Sequence, residues 1–338
     1  TNFKVKKYPK TFNEKSKNFL ALNVVDKFKT LLRISGIKFL IYNILYFSLS
    51  KIFKSKNYFI KALVFDLLKY NNELTIIKSK FNERFILFTN DNIISREMFV
   101  KKEFDLLKLK KNLKFLNKKK NIETIYDIGA NIGVICIPAV KRGFVKNAFA
   151  VEPEKKNYEL LVLNILLNNL KDKITPYNFA LSDKDDDVVE MELASDNSGD
   201  HRVKNQINFN IHGEEERKTC KVKTKKFDTL FKNIKPQNDL IWMDTQGFEP
   251  VILSGAKYLI KSKAPLVIEF WPYALKRAGL WEKMIDLLSN FDYYVDLSEQ
   301  HLIKKKLNES AIMELKNGWE NEKKGSYSLY TDLILLQD

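Results

Sequence analysis

From residue 121 to the end of the chain, short apolar runs alternate with longer amphipathic segments, and this alternation restricts the fold more than any other feature. Apolar runs predict strands at 125–128, 148–151, 174–179, 240–243 and 266–270. Helices are expected between them at 132–142, 158–169 and 250–260, and the segments 293–297 and 331–336 are expected to pair as an antiparallel hairpin. Strands joined by helices are typical of a mostly parallel α/β sheet, whose ligands bind at the carboxyl ends of the strands.

The first 120 residues have a different composition. They hold 28 basic and 9 acidic side chains, whereas residues 121–338 hold 30 and 33. Apolar spacing predicts two or three helices over 19–70, a hairpin of strands at 74–77 and 85–88, and a helix at 97–116. We therefore divide the chain into a basic helical extension (1–75), a hairpin and helix that lead into the main domain (76–120), and an α/β domain (121–338).

Several features bear on compartment and partners. Cys136 and Cys220 are too few for a disulfide framework or a cysteine-based zinc site. The uncharged stretch 39–50 has 12 residues, fewer than the roughly 20 that a membrane-spanning helix needs. These features predict a cytoplasmic protein. For the basic third we weigh a solvated lysine face against contact with an anionic membrane or lipid-linked glycan. Nucleic acid is disfavoured, because no aromatic stacking platform accompanies the lysines.

A glycine-containing turn follows the first strand of the α/β domain. The segment IYDIGANIGV places Asp127, Gly129, Asn131 and Gly133 between a strand and a helix, and Glu152 ends the next strand. Glycine permits positive φ and close approach of the backbone to a ligand, and a carboxylate at the second strand can accept ribose hydroxyl protons. A dinucleotide fingerprint would require glycine where this chain has Asn131 and Val134. The pattern therefore favours S-adenosylmethionine over NAD.

Six separated blocks of the sequence resemble one family, the FkbM-type methyltransferases, which are class I S-adenosylmethionine-dependent O-methyltransferases. The blocks are DIGANIGV (127–134), FAVEPEKKNYELLVLNILLNN (149–169), FALSDKDD (179–186), NSGDHRV (197–203), LIWMDTQGFEPVILSGA (240–256) and LVIEFWP (266–272). They imply a Rossmann-like class I methyltransferase fold over roughly 80–338. Gln246 departs from the family pattern, in which a glutamate often stands at this position of the fifth block.

The resemblance also implies roles for individual residues. Asp127, Gly129, Asn131 and Gly133 would line the methionine side of the cofactor, Glu152 would hold its ribose, and Ser182 and Asp183 would lie near its adenine. Arg202, Glu249 and Trp271 are candidates for binding the acceptor.

Three residues are candidates for catalysis. Asp244 ends the strand LIWMD at the carboxyl edge of the sheet, where it would be a base or an orienting group for an acceptor hydroxyl. Glu269 is a charge inside the apolar strand LVIEFWP, where it needs a partner. His201 is a candidate proton acceptor, because imidazole titrates near neutral pH.

The acceptor is expected to be a hydroxyl of a sugar, of a polysaccharide, or of a secondary metabolite. This acceptor class follows from the resemblance alone. An RNA ribose 2'-O-methyltransferase and a non-catalytic module with the cofactor fold remain alternatives. The three histidines lack metal-ligand spacing, so no structural zinc is expected; a divalent ion held by Asp244 and another carboxylate remains open.

Overall fold

The computed structural model describes residues 58–70, 72–204, 217–321 and 330–338. The chain divides into two compact units, 1–72 and 73–338. In the first unit the described part is mainly the helix α1 (Tyr58–Leu68). The predicted helices between residues 19 and 57, and the uncharged stretch 39–50, lie outside the described residues. Within the described part of the chain, no helix is both long enough and apolar enough to span a bilayer.

The second unit opens with the predicted hairpin. Strand β1 (Leu74–Lys78) pairs in antiparallel register with β2 (Arg84–Phe88), which confirms the prediction. The single helix expected over 97–116 is wrong, because the structure has two helices, α2 (Ile94–Lys101) and α3 (Leu106–Leu116). Lys102 and Asp105 separate them with φ values of 63° and 44°, a left-handed conformation that a continuous helix does not contain.

The main sheet is formed by strands from the α/β domain. Its strands are β3 (Thr124–Ile128), β4 (Asn147–Val151), β5 (Ile174–Tyr177), β10 (Asp239–Met243), β11 (Leu266–Phe270), β12 (Tyr293–Asp296), β13 (Lys305–Lys306) and β14 (Thr331–Leu336). Their order in the described part of the sheet is β5-β4-β3-β10-β11-β14-β12-β13. The strands β3, β4, β5, β10 and β11 are parallel, and β14 runs antiparallel to both of its neighbours, β11 and β12. This is the expected class I methyltransferase arrangement, including the antiparallel pairing of the last two predicted segments.

Helices cover both faces of the sheet. They are α4 (Cys136–Lys141), α5 (Lys155–Leu167), α6 (Phe227–Leu230), α7 (Glu249–Ser254), α8 (Lys257–Ser262), α9 (Pro272–Arg277), α10 (Trp281–Leu288) and α11 (Glu309–Asn321). The segment expected as one helix at 250–260 is therefore two short helices. Successive residues of β10 point into different cores: Leu240 and Trp242 pack in one apolar cluster, and Ile241 and Met243 in the other. Strands buried on both faces explain why these runs are apolar throughout.

A second, smaller sheet stands beside the main one. It contains β6 (Ala180–Leu181), β7 (Val188–Leu193), β8 (Arg202–Val203) and β9 (Lys218–Lys225), in the order β6-β9-β7-β8. The strand expected over 174–179 ends at Tyr177, and β6 begins three residues later. The sequence analysis did not predict this sheet, because its longest strand, KTCKVKTK, is mainly exposed and carries four lysines.

Two asparagines of α5 attach the hairpin to the α/β domain. Asn164 is fully buried, and its Oδ1 accepts a hydrogen bond from the Ile86 N–H at 2.7 Å. Its Nδ2 donates to the carbonyls of Ile86 and Ile132. Asn168 makes the equivalent pair of bonds with the backbone of Arg84. Backbone groups that lose water need other hydrogen-bond partners. The two side-chain amides supply the hydrogen bonds that a neighbouring strand would otherwise make to β2.

We expect Asn164→Ala to lower the free energy of unfolding by about 2–4 kcal/mol, because it leaves three backbone groups without this partner: the buried Ile132 carbonyl and the N–H and carbonyl of the half-buried Ile86. Leu163→Ala is the matched control, since Leu163 lies on the same helix with 44% of its surface exposed, and its cost should stay below about 1 kcal/mol. Urea unfolding measures both values. Equal costs for the two variants would contradict this role of Asn164.

Candidate functional site

The turn after β3 forms the floor of a cleft at the carboxyl edge of the main sheet. Gly129 has φ +88°, and its N–H donates to the Val151 carbonyl at 2.9 Å. A Cβ at Gly129 would lie 1.8 Å from the carbonyl oxygen of Asp244. Both the backbone conformation and this close approach therefore require glycine. Asn131 is also left-handed, with φ +49°, and lines the cleft together with Gly129.

Gly133 does not belong to the lining of this cleft. It has φ +89°, and an added Cβ would meet side-chain atoms of Ile137 and Leu161 at 2.7 and 2.9 Å. Its role is therefore to let the turn pack against α4 and α5. Its predicted contact with the cofactor stays a prediction.

Glu152 is buried and lines the cleft beside the turn. One carboxylate oxygen accepts the Asn131 N–H at 2.8 Å, and the other accepts the Glu154 N–H at 2.9 Å. Burial raises the pKa of Glu152 to about 8, although these two backbone donors oppose the shift. In the ionised form each oxygen can accept one more hydrogen bond, so the Glu152 carboxylate is oriented to receive a pair of hydroxyl groups.

Asp127 also lies where sequence analysis placed it, at the cleft end of β3. Its carboxylate accepts the Cys136 N–H at 3.1 Å and so holds the start of α4. Burial raises its pKa to about 7, and the nearby Asp244 adds to that shift.

The residues predicted to lie near the adenine follow the cleft lining directly. Phe179, Ala180 and Leu181 line the cleft, whereas Ser182 and Asp183 do not. The backbone of Ser182 and Asp183 lies against Gly255, where a Cβ would be 2.4 Å from the Ser182 carbonyl oxygen. The role of Ser182 and Asp183 stays a prediction, and the three apolar residues before them are additional candidates.

Two predicted catalytic carboxylates are joined by Gln246. The Gln246 Nε2 donates to Asp244 Oδ1 at 2.8 Å and to Glu269 Oε2 at 3.0 Å. Both partners are acceptors, which fixes the orientation of the amide. Asp244 and Gln246 line the cleft, and Glu269 is buried behind them. Left-handed φ at Gln246 (+57°) and Gly247 (+93°) turns the chain sharply enough to bring the amide back between the acids.

The protein around these two acids changes their titration. The Asp244 side chain is exposed to the cleft, yet neighbouring elements surround it; this loss of bulk water raises its pKa to about 6, and the Gln246 hydrogen bond opposes the shift. Burial, followed by the charges of Asp244 and Glu249, raises the pKa of Glu269 well above its usual range. Two nearby carboxylates cannot easily both be ionised, so the proton belongs on the more deeply buried Glu269.

Three residues that sequence reasoning missed complete this side of the cleft. Asp332 lies directly opposite Glu269 in the β11–β14 register and lines the cleft. Lys108 pairs with Asp332 at 2.8 Å and with Asp105, another lining residue, at 3.3 Å. Asp332 carries the same signal as Glu269, an acid inside an apolar strand. Asp105 and Lys108 carry no local signal, because only the tertiary fold brings α3 to this edge.

His201 lines the cleft, but its hydrogen bond argues against the predicted role as proton acceptor. Its Nδ1 accepts the Ala194 N–H at 3.1 Å, and burial lowers its pKa. The neutral ring therefore carries its proton on Nε2 and presents a donor. The loop that holds His201 is fastened to the glycine turn, because Asn131 Nδ2 and Asn157 Nδ2 both donate to the Ser198 carbonyl.

The three predicted acceptor-binding residues lie at different depths. Arg202 lines the cleft, pairs with Asp200 at 2.8 Å and lies 5.4 Å from the Trp271 ring centre. Trp271 itself is buried outside the lining. Glu249 is fully buried, and its Oε1 accepts the N–H and hydroxyl of Thr245 at 2.7 and 2.8 Å. In this structure Trp271 packs against its neighbours and Glu249 closes the 245–249 turn, and their predicted contact with an acceptor stays a prediction.

Among the described residues, no group of three or more His, Cys, Asp or Glu side chains is arranged to hold a metal ion.

We expect Glu249→Gln to stabilise the protein at alkaline pH. The Glu249 Oε2 is buried with no hydrogen-bond partner in the described structure, and burial raises the pKa of this carboxyl from 4.5 to about 7. The folded state therefore keeps a proton that the unfolded state releases, so wild-type stability falls as pH rises from 4.5 through 7. Glutamine does not titrate, so the free energy of unfolding of Glu249→Gln, relative to that of the wild type, should increase by about 3 kcal/mol between pH 4 and pH 8. Urea unfolding at both pH values measures it; a difference that does not change with pH would contradict this charge state.

Comparisons with known proteins bear on the identity of this cleft. The family model of the methyltransferase FkbM domain matches residues 127–295, half of the chain. A search of curated proteins found no match to this chain. Among solved structures, the methyltransferase FkbM from Methylobacillus flagellatus KT is similar at 13% identity over 89% of this chain and 60% of that chain, with a TM-score of 0.36. TYW2 from P. horikoshii, in complex with MeSAdo, is similar at 15% identity over 84% of each chain, with a TM-score of 0.38. The matched family segment runs from Asp127 at the cleft to the strand β12, and the chain belongs to the FkbM methyltransferase family.

Proposed function

We propose that this S-adenosylmethionine-dependent methyltransferase transfers its methyl group to a hydroxyl of a glycan or of a hydroxylated small molecule. The observation that carries the proposal is the Asp244 carboxylate, which is open to the cleft at the end of β10 and is held there by Gln246. A carboxylate in this position can accept the proton that a hydroxyl loses when it is methylated.

The cleft fits the cofactor of the family. Glu152 keeps free acceptor capacity on both oxygens, as the two hydroxyls of a ribose require. Asn157 also lines the cleft, and its Oδ1 is buried with no hydrogen-bond partner in the described structure. Phe179, Ala180 and Leu181 supply an apolar wall for a base. We therefore assign Asp127, Gly129, Asn131, Glu152 and Asn157 to cofactor binding.

When bound, the cofactor would supply an electrophilic methyl group for in-line displacement by the acceptor oxygen, with the thioether sulfur as the leaving group. The hydroxyl proton passes to Asp244 and then to water at the open side of the cleft. Most of the acceleration comes from alignment and from exclusion of water, because the displacement needs no covalent intermediate with the protein.

Gln246 and Glu269 decide which acid acts as the base. Glu269 keeps its proton, since it is buried and faces other acids, and Asp244 is then the ionised member of the pair above pH 6. The Gln246 amide donates to both without adding a third charge. A glutamate at 246 would place a third carboxylate beside two others and would favour protonation of Asp244 near neutral pH. Gln246 therefore acts as a positioning residue for the base.

The charges of the cleft favour a neutral acceptor over a polyanion. Asp105, Asp244 and Asp332 lie on the lining of the acceptor side. Among these three, Asp105 and Asp332 share Lys108. Phosphate groups of RNA would meet net negative charge there, whereas sugar hydroxyls would find hydrogen-bond acceptors.

We expect Glu152→Ala to weaken binding of S-adenosylhomocysteine at least tenfold, because two hydrogen bonds of about 1 kcal/mol each would be lost. Ser182→Ala, on a residue outside the cleft lining, is the matched control and should change the affinity less than twofold. Calorimetry measures both, and thermal unfolding checks that the variants are folded. Wild-type affinity in Glu152→Ala would refute the ribose contact.

We expect Asp244→Asn to lower methyl transfer at least a hundredfold, the usual range for loss of a general base, while S-adenosylhomocysteine still binds. The assay uses labelled S-adenosylmethionine with cell extract separated into glycan, lipid, RNA and small-molecule fractions. Label should enter the glycan or small-molecule fraction and survive mild alkali, as a methyl ether does and a methyl ester does not.

Asp286→Asn is the matched control, because Asp286 is exposed on α10, away from the cleft lining. It should transfer label at the wild-type rate. In the wild type the rate should fall about tenfold per pH unit below the Asp244 pKa of about 6. Label in RNA, or full activity of Asp244→Asn, would rule out the proposed function.

A further inference from the structure

The edge of the main sheet that lies opposite the cleft is rich in lysine. Here the chain enters the parallel strands, and we call this surface the lysine edge. It comprises the segments 118–123, 144–147, 171–173, 232–239, 261–265, 304–306 and 337–338. These segments contain 13 lysines, no arginine and four acids.

Backbone and side-chain contacts join these segments into one surface. Asn121 donates its N–H to the Gln237 carbonyl, Lys146 to that of Glu123, and Ala148 to that of Lys173. On the other side of the sheet, Lys304 lies 3.3 Å from the carboxylate of Asp338, and Lys263 bonds to the Asp338 carbonyl. The lysine edge therefore runs across the full width of the described sheet.

The acids of this edge do not cancel its charge. Glu123 is paired with Lys146, Asp338 with Lys304, and Asp239 is buried. Asp172 is exposed between Lys171 and Lys173, so four acids stand against 13 lysines. Lys118, Lys119, Lys173, Lys232, Lys235 and Lys306 have exposed side chains. Ile303, which directly precedes three lysines, is 56% exposed and adds an apolar side chain to the same surface.

The opposite edge carries acids, of which several are buried. Asp127, Glu152, Asp244, Glu269 and Asp332 all lie at the cleft ends of their strands. The strands β3, β4 and β10 have five residues each, so roughly 17 Å of strand separates the two edges. Burial raises the pKa of Glu152 and of Glu269, so docking would depend on the concentration of lysines at one edge and not on a full negative charge at the other.

We propose that the lysine edge docks the enzyme on an anionic lipid surface, with the cleft facing the aqueous phase. Many exposed lysines on one broad face suit diffuse attraction to lipid headgroups, to which each lysine near the surface contributes. The absence of arginine from these segments disfavours bidentate recognition of individual phosphates. A nucleic acid held here would lie at the wrong end of the strands to reach the methyl donor. Soluble acceptors, or long glycans that extend from the membrane, would reach the cleft.

The test is sedimentation of the full chain with vesicles of phosphatidylcholine alone or with 30% phosphatidylglycerol. We expect binding only to the anionic vesicles, and loss of binding as salt is raised. The triple variant Lys118→Glu, Lys173→Glu, Lys232→Glu should bind at least a hundredfold more weakly, from roughly fivefold per lysine. The matched control is Lys184→Glu, Lys221→Glu, Lys223→Glu, which makes the same charge change at exposed lysines on or beside the smaller sheet and should retain most of the binding.

Retained S-adenosylhomocysteine binding shows that both triple variants are folded. Equal vesicle binding by the two variants would overturn the proposal, because the attraction would then come from net charge or from another part of the chain. Absence of binding to anionic vesicles, or binding to RNA that the first variant loses, would overturn it as well. None of these outcomes depends on methyl transfer, so the docking surface and the proposed reaction can fail separately.

Discussion

The contact between two turns at the carboxyl edge of the sheet holds the site together. The Gly129 backbone lies so close to the Asp244 carbonyl that no side chain fits between them, and the Asp244 N–H donates to the Ile128 carbonyl. This contact fixes the glycine turn after β3 against the turn after β10. The second turn carries Gln246, which donates hydrogen bonds to Asp244 and Glu269.

Burial of acids is the main electrostatic cost of this arrangement, and their crowding adds to it. Parallel strands that end together bring Asp127, Glu152, Asp244 and Glu269 to one edge, and the antiparallel β14 adds Asp332. Hydrogen-bond donors, one lysine and retained protons offset this cost: backbone N–H groups hold Glu152, an amide holds Asp244, and Lys108 holds Asp332. Among these five acids, only Asp244 combines a raised pKa near neutrality with an exposed side chain, which is why we propose it as the base.

Sequence reasoning predicted the features that have a local signal. The mostly parallel sheet with its terminal antiparallel pair is confirmed, and Glu152 and Asp244 lie where the sequence placed them, at the ends of strands. Features that depend on the tertiary fold could not be predicted, because Gly133 and Trp271 face the interior and Asp332 is brought to the cleft by an antiparallel partner. The spatial distribution of charge could not be predicted from the sequence either. Residues 121–338 have 30 basic and 33 acidic side chains, yet the fold places many of those lysines at one edge and many of those acids at the other.

The central claim is that Asp244 titrates near neutrality beside a Glu269 that keeps its proton. Carbon-13 NMR of the side-chain carboxyl groups, with the Asp244 signal identified by its loss in Asp244→Asn, measures this directly without an acceptor. The account predicts a midpoint near pH 6 that stays in place in Glu269→Gln, because glutamine resembles the protonated acid. A midpoint near pH 4, or a clear fall of the midpoint in Glu269→Gln, would contradict it.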